Sequence, residues 1–74
     1  MTTTSPSAIV ASNVRAEMGR TRTAQAVIAK KMGRTQQFVS RRLTGQTPFT
    51  LEEIAEIAAI LDVPVATLLG EIAA

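Results

Sequence analysis

Residues 23 to 45, TAQAVIAKKMGRTQQFVSRRLTG, leave this chain few folds to choose from. They divide at Gly33 into two segments that each read as a helix, the second opening with two glutamines. Glycine supplies the positive φ that a sharp turn requires, so the pattern predicts two short helices packed against each other. The first starts from Thr23 as N-cap and turns Val27, Ile28 and Met32 inward. Ala29 is small, as a close helix crossing demands. The second starts from Thr35 as N-cap and runs over residues 36–43, with Val39 and Leu43, four apart, facing the core. Gln36, Gln37, Ser40 and Arg41 are left on the exposed side or at its margin.

The same periodicity extends to either side. Residues 1–4 (MTTT) read as a disordered lead-in, and Ser5-Pro6 as the N-cap and N1 of a first helix. Val10, Val14 and Met18 repeat every fourth residue with Ile9 beside them, and Gly19 is expected to end that helix in the left-handed conformation. A basic connection, Arg20-Thr-Arg-Thr23, follows. Gly45-Gln-Thr-Pro48 breaks the chain again, and Thr50-Leu-Glu-Glu53 has the spacing of a capping box. On the helix it starts, Leu51, Ile54, Ala55, Ala58 and Leu61 make the buried face, and Glu52, Glu53 and Glu56 the wet one. Asp62-Val-Pro64 is a break and restart, with Pro64 at N1 of a fifth helix. That helix carries Val65, Leu68, Leu69 and Ile72; Leu68 and Leu69 suit the core, and Ile72 suits a symmetric contact. With no strand candidate, the fold class is all-α, a single domain over residues 5–74.

Composition narrows the chemistry. There is no Cys, so no disulfide or thiolate metal site, and no His, the usual general base and commonest metal ligand. No cofactor, metal, small-molecule substrate or catalytic constellation is expected, and the glutamates form a solvated face rather than an acid–base pair. No apolar run approaches the ~18 residues of a membrane span, and the start lacks the basic region of a signal peptide. The expected location is the cytoplasm. A chain of 74 residues buries only about 60% of its unfolded surface, so modest stability is expected unless it dimerises. The net charge of +2 conceals a division. All eight Lys and Arg lie between Arg15 and Arg42 against Glu17 alone, whereas Leu43 to Ala74 holds five acids and no base. One surface is thereby suited to a polyanion.

A helix, a tight turn and a second helix opening with glutamines is the layout of a helix-turn-helix, whose second helix lies in the DNA major groove. Glutamine is one of the few side chains that pair bidentately with adenine there. Phe38 and Phe49 are too few to make a stacking platform for single strands. Lys30 and Lys31 serve either phosphates or the C-terminal end of their own helix dipole.

Over about residues 8–70 the chain resembles the Cro/repressor (XRE-type) helix-turn-helix class, typified by lambdoid phage repressors. Gln25, Ala29, Gly33, Val39, Gly45 and the close IAAILDVPVATLL carry the resemblance, and Gly33-Arg-Thr-Gln-Gln37 is near the turn and recognition-helix start of some phage repressors. The resemblance implies a five-helix lambda-repressor-like domain. It implies base contacts from Gln36, Gln37 and Ser40, and a base or phosphate contact from Arg41. Gln25, Thr35, Thr44 and Thr47 would meet the phosphate backbone, and Arg20, Arg22, Arg34 and Arg42 would supply the charge that displaces counterions.

There are departures from the family pattern. Five residues separate Gly19 from Gln25, more than the family has, and Ala24 stands where a capping residue is usual, which moves the cap to Thr23. Arg42 replaces an aliphatic, so Leu43 takes over its packing. Arg15 matches a family arginine that pairs with a late glutamate of the third helix, but Leu43 occupies that place.

The function so implied is a sequence-specific double-stranded DNA-binding transcriptional regulator, a Cro-like phage or prophage repressor on the bacterial nucleoid. It would bind operator DNA, with a homodimer across two half-sites. The absence of an appended oligomerisation domain favours Cro over the longer repressor, and Lys30 and Lys31, the only charges on the second helix, disfavour activation through acids there. The alternative is an antitoxin-type or protein-interaction module on the same fold.

Overall fold

The computed structural model describes residues 5–70. They form α1 (Pro6–Thr21), α2 (Gln25–Met32), α3 (Gln36–Leu43), α4 (Leu51–Leu61) and α5 (Val65–Leu68), with no strand among the described residues. The fold is therefore all-α, as the periodicity requires. The expected lead-in at residues 1–4 and Ile72 lie outside the described residues.

Several helix ends fall where local chemistry put them. Ser5 Oγ accepts the Ala8 N–H at 3.2 Å, with Pro6 behind it. Gly33 closes α2 at φ 69°, and Thr35 Oγ1 caps α3 by accepting the Phe38 N–H at 3.0 Å. Thr50 and Glu53 complete the capping box of α4: Oγ1 accepts the Glu53 N–H at 3.1 Å, and Oε1 accepts the Thr50 N–H at 2.9 Å.

Two ends differ from expectation. Gly19 does not stop α1, which runs on to Thr21; Arg22 takes the left-handed conformation at φ 54° instead. The extra turn is supported locally, by Thr21 Oγ1 donating to the Glu17 carbonyl at 2.7 Å and by an Arg20–Glu17 ion pair one turn apart. The residues that exceed the family spacing lengthen the helix rather than the loop. Thr23 does not cap α2 either. Its N–H returns to the Met18 carbonyl to close α1, and its hydroxyl shares a 2.8 Å hydrogen bond with that of Thr21. Ala24 occupies the cap position, so α2 begins with no side-chain cap.

The core draws on every helix: Val10 and Val14 from α1, Ile28 and Ala29 from α2, Val39 and Leu43 from α3, Ile54, Ile57, Ala58 and Leu61 from α4, and Leu68 from α5. On α2 the inward pair is Ile28 and Ala29, and Val27 is exposed, contrary to expectation. The face of α4 is also rotated from the expected one. Ile57 is fully buried, Ala55 is exposed, Leu51 is 75% exposed, and Glu53, expected in water, is buried at 7%. In a helix this rich in Ala and Ile, more than one apolar stripe satisfies the period. The bonds between Glu53 and Thr50 accompany the observed one. α5 is a single turn with Pro64 as its N-cap rather than N1. Leu68 is fully buried and Leu69 packs beside it, while Asn13 Nδ2 holds the Leu68 carbonyl at 2.9 Å and ties α1 to α5.

Candidate nucleic-acid interface

α3 has only eight residues, and its burial pattern divides it cleanly. Val39 and Leu43 are in the core; Gln36, Gln37 and Arg41 are exposed, and Ser40 is half-buried between the two sides. Positions 36, 37, 40 and 41 are spaced one helical turn apart in pairs, so they share a face. The four residues expected to meet bases therefore stand together on the outer side of the second helix of the motif.

Three polar tethers, each from a different helix, hold this short element. Gln25, at the first position of α2, donates from Nε2 to the Gln36 carbonyl at 2.8 Å. Arg15 of α1 donates from Nη1 to the Leu43 carbonyl at the other end. The arginine that lacked a glutamate partner in the sequence thus finds a backbone oxygen at that same position. From α4, Glu53 Oε1 accepts the Arg42 Nε–H at 2.8 Å.

Arg42 stands apart from the other candidate site residues. It was expected to face phosphate, but its side chain is only 13% exposed, with the guanidinium 3.6 Å from the centroid of the Phe38 ring and paired to Glu53. Arginine can replace an aliphatic here because its stem and planar head cover an apolar ring while the charge meets a carboxylate. Burial by itself pushes the Glu53 carboxyl up; hydrogen bonds from Arg42 and from the Thr50 N–H, with the positive charges of Arg42 and Arg34, outweigh it and hold the group below its ordinary value. The sequence held only separate signals: Arg42 at a position where the family has an aliphatic, and Glu53 at N3 of a capping box, where the carboxylate is drawn toward its own helix start; nothing local joined the two.

The remaining residues expected at phosphates lie on several elements. Arg34 is exposed in the turn, its guanidinium 4.8 Å from the centroid of the Phe38 ring. Thr35 is exposed at the cap, and Thr44 is exposed just after the helix, donating to the Arg41 carbonyl at 3.2 Å. Thr47 is half-buried, with its N–H on the same carbonyl. Arg22 is exposed at the end of α1, and Arg20, also exposed, is paired with Glu17 at 2.7 Å. Lys30 and Lys31 are exposed in the last turn of α2. Among the described residues no group of three acids is placed to hold a metal ion, and no helix is long and apolar enough to cross a membrane.

A family model described as BetR domain matches residues 5–74. That family comprises helix-turn-helix-like DNA-binding regulatory modules, not enzymes. No curated protein and no solved structure matches the chain.

Proposed function

The chain belongs to the BetR domain family, and on that premise we propose that it is a sequence-specific regulator that reads operator DNA with α3, in the manner of a Cro-like phage or prophage repressor. The observation that carries this reading is the outer face of α3, where Gln36, Gln37 and Arg41 are exposed together over a core-facing Val39 and Leu43. With α3 in the major groove, Gln36 and Gln37 at its start meet base edges, Gln36 being the better placed for an adenine, and Ser40 and Arg41 follow one turn deeper.

Phosphate contacts set the register. Arg34, Arg22 and Arg20 supply charge, and Thr35, Thr44 and Thr47 supply hydroxyl and N–H groups. Gln25 joins them at the start of α2, where no side chain caps the helix and a phosphate would meet its N-terminal end. Arg42, engaged with Glu53, is not counted among them. A two-fold dimer over half-sites one helical turn apart would double a small interface, and an operator that overlaps a promoter would then exclude polymerase without any chemistry.

Replacing Gln36 by alanine tests the base contact. Binding to the operator should weaken by the discrimination of one good base contact, about 1–3 kcal/mol, while binding to unrelated duplex stays near wild type. Equal losses on both DNAs would show that Gln36 reads no base.

A further inference from the structure

One flank of α3 carries a device that the DNA-reading face does not use. Phe38 and Arg42, one turn apart, stack at 3.6 Å, and Arg42 reaches across to Glu53 of α4 at 2.8 Å. Glu53 is itself immobilised, because the same Oε1 accepts the Thr50 N–H and the Glu53 N–H is held by Thr50 Oγ1. The pair is therefore anchored to the start of α4 rather than to a mobile side chain.

Geometry gives this tether a different job from the other two. The Gln25 and Arg15 bonds end on backbone carbonyls of α3, which lie close to the helix axis, within about 2–3 Å. They fix where the helix ends sit but have little leverage on its rotation. Val39 and Leu43 lie on a single apolar stripe; their burial selects the inward face of the helix but supplies no directional bond to fix its angle. The Arg42 head acts further out. At about 5–6 Å from the axis a roll of 10° moves a side-chain end by roughly 1 Å, enough to break a hydrogen bond on either side of the helix.

We propose that Arg42, held by Glu53 over Phe38, is a positioning residue that sets the rotation of α3 and hence the sequence preference of Gln36, Gln37 and Arg41, without touching DNA. The proposal rests on the DNA-reading function above. It requires that loss of the pair degrade discrimination between operator and unrelated duplex while leaving phosphate neutralisation intact.

The test compares the full chain with Arg42→Met and Glu53→Gln, measuring affinity for a selected operator duplex and for unrelated duplex across a salt series. Measurements are made at a temperature where circular dichroism shows each protein folded. Glu53→Gln keeps an oxygen for the Thr50 N–H, so it remains informative even where Arg42→Met is too unstable to use. Both variants should lower the ratio of operator to unrelated binding by about tenfold, the scale of one lost base contact, with an unchanged slope of log K against log salt. A slope shallower by about 0.9 in Arg42→Met, with the ratio preserved, would instead make Arg42 a phosphate contact and overturn the proposal. An unchanged ratio with an unchanged slope would overturn it as well. A wild-type chain with no preference between duplexes would refute the DNA-reading function itself, and the proposal with it.

Discussion

Glu53→Gln separates the charge of the Glu53 carboxylate from its shape. The amide is nearly isosteric and keeps an oxygen for the Thr50 N–H, so the capping box survives. What disappears is the negative charge opposite Arg42, in a pair whose side chains are about nine-tenths buried. A hydrogen bond to a charged group contributes roughly 1.5–3 kcal/mol against about 1 for a neutral one, so the change should destabilise the chain by about 1–2 kcal/mol near neutral pH. In a domain of this size each kcal/mol moves the midpoint by about 4–8 °C, which places the expected fall in Tm at roughly 5–15 °C. The pH dependence gives the sharper signature. The folded carboxyl is held below 4.5, its ordinary value, so its contribution is complete above that value and is lost as pH falls through the folded one. Glutamine does not titrate. The stability gap between wild type and variant, read by urea unfolding at several pH values from about 7 down to about 3, should therefore be widest near neutrality and close on acidification. A gap that is absent at neutral pH, or equally wide at every pH, would refute the reasoning.

Two further substitutions probe the scaffold and the backbone contacts. Ala24→Asp adds the cap that α2 lacks and should raise stability by about 0.5–2 kcal/mol in thermal unfolding, while weakening binding to operator and unrelated duplex alike, because a carboxylate would stand where a phosphate is expected. Stronger or unchanged DNA binding in that variant would remove the start of α2 from the interface. Ile57→Ala empties a fully buried position on α4 and should cost about 2–5 kcal/mol in urea unfolding, whereas Leu51→Ala, on a side chain 75% exposed, should change stability little.

What the sequence discloses and what it hides follow from the range of the interactions involved. Gly33, Thr35 and Thr50 act within a few residues of themselves, and each ends or starts a helix as its chemistry requires. The outer face of α3 was legible for the same reason: once Val39 and Leu43 face inward, the opposite residues follow from the helical period. Gly19 and Thr23 misled because several local signals competed. Thr21, Glu17 and Arg20 together favour another turn of α1, and the N–H of Thr23 is needed to close it. In α4, alternative apolar stripes made periodicity indecisive, so Ile57 and Glu53 were hidden. The partners of Arg15, Gln25 and Arg42 lie 11 or more residues away, on other helices, and no local rule connects them.

Whether α3 reads a base sequence can be decided by selection from a random duplex-DNA library. The purified chain would be challenged at about 0.15 M salt, where purely electrostatic binding is weakened, and the retained duplexes sequenced. The expected result is an enriched motif repeated with inverted symmetry, its half-sites about one helical turn apart. Retention of DNA that vanishes with added salt and enriches no sequence would contradict it.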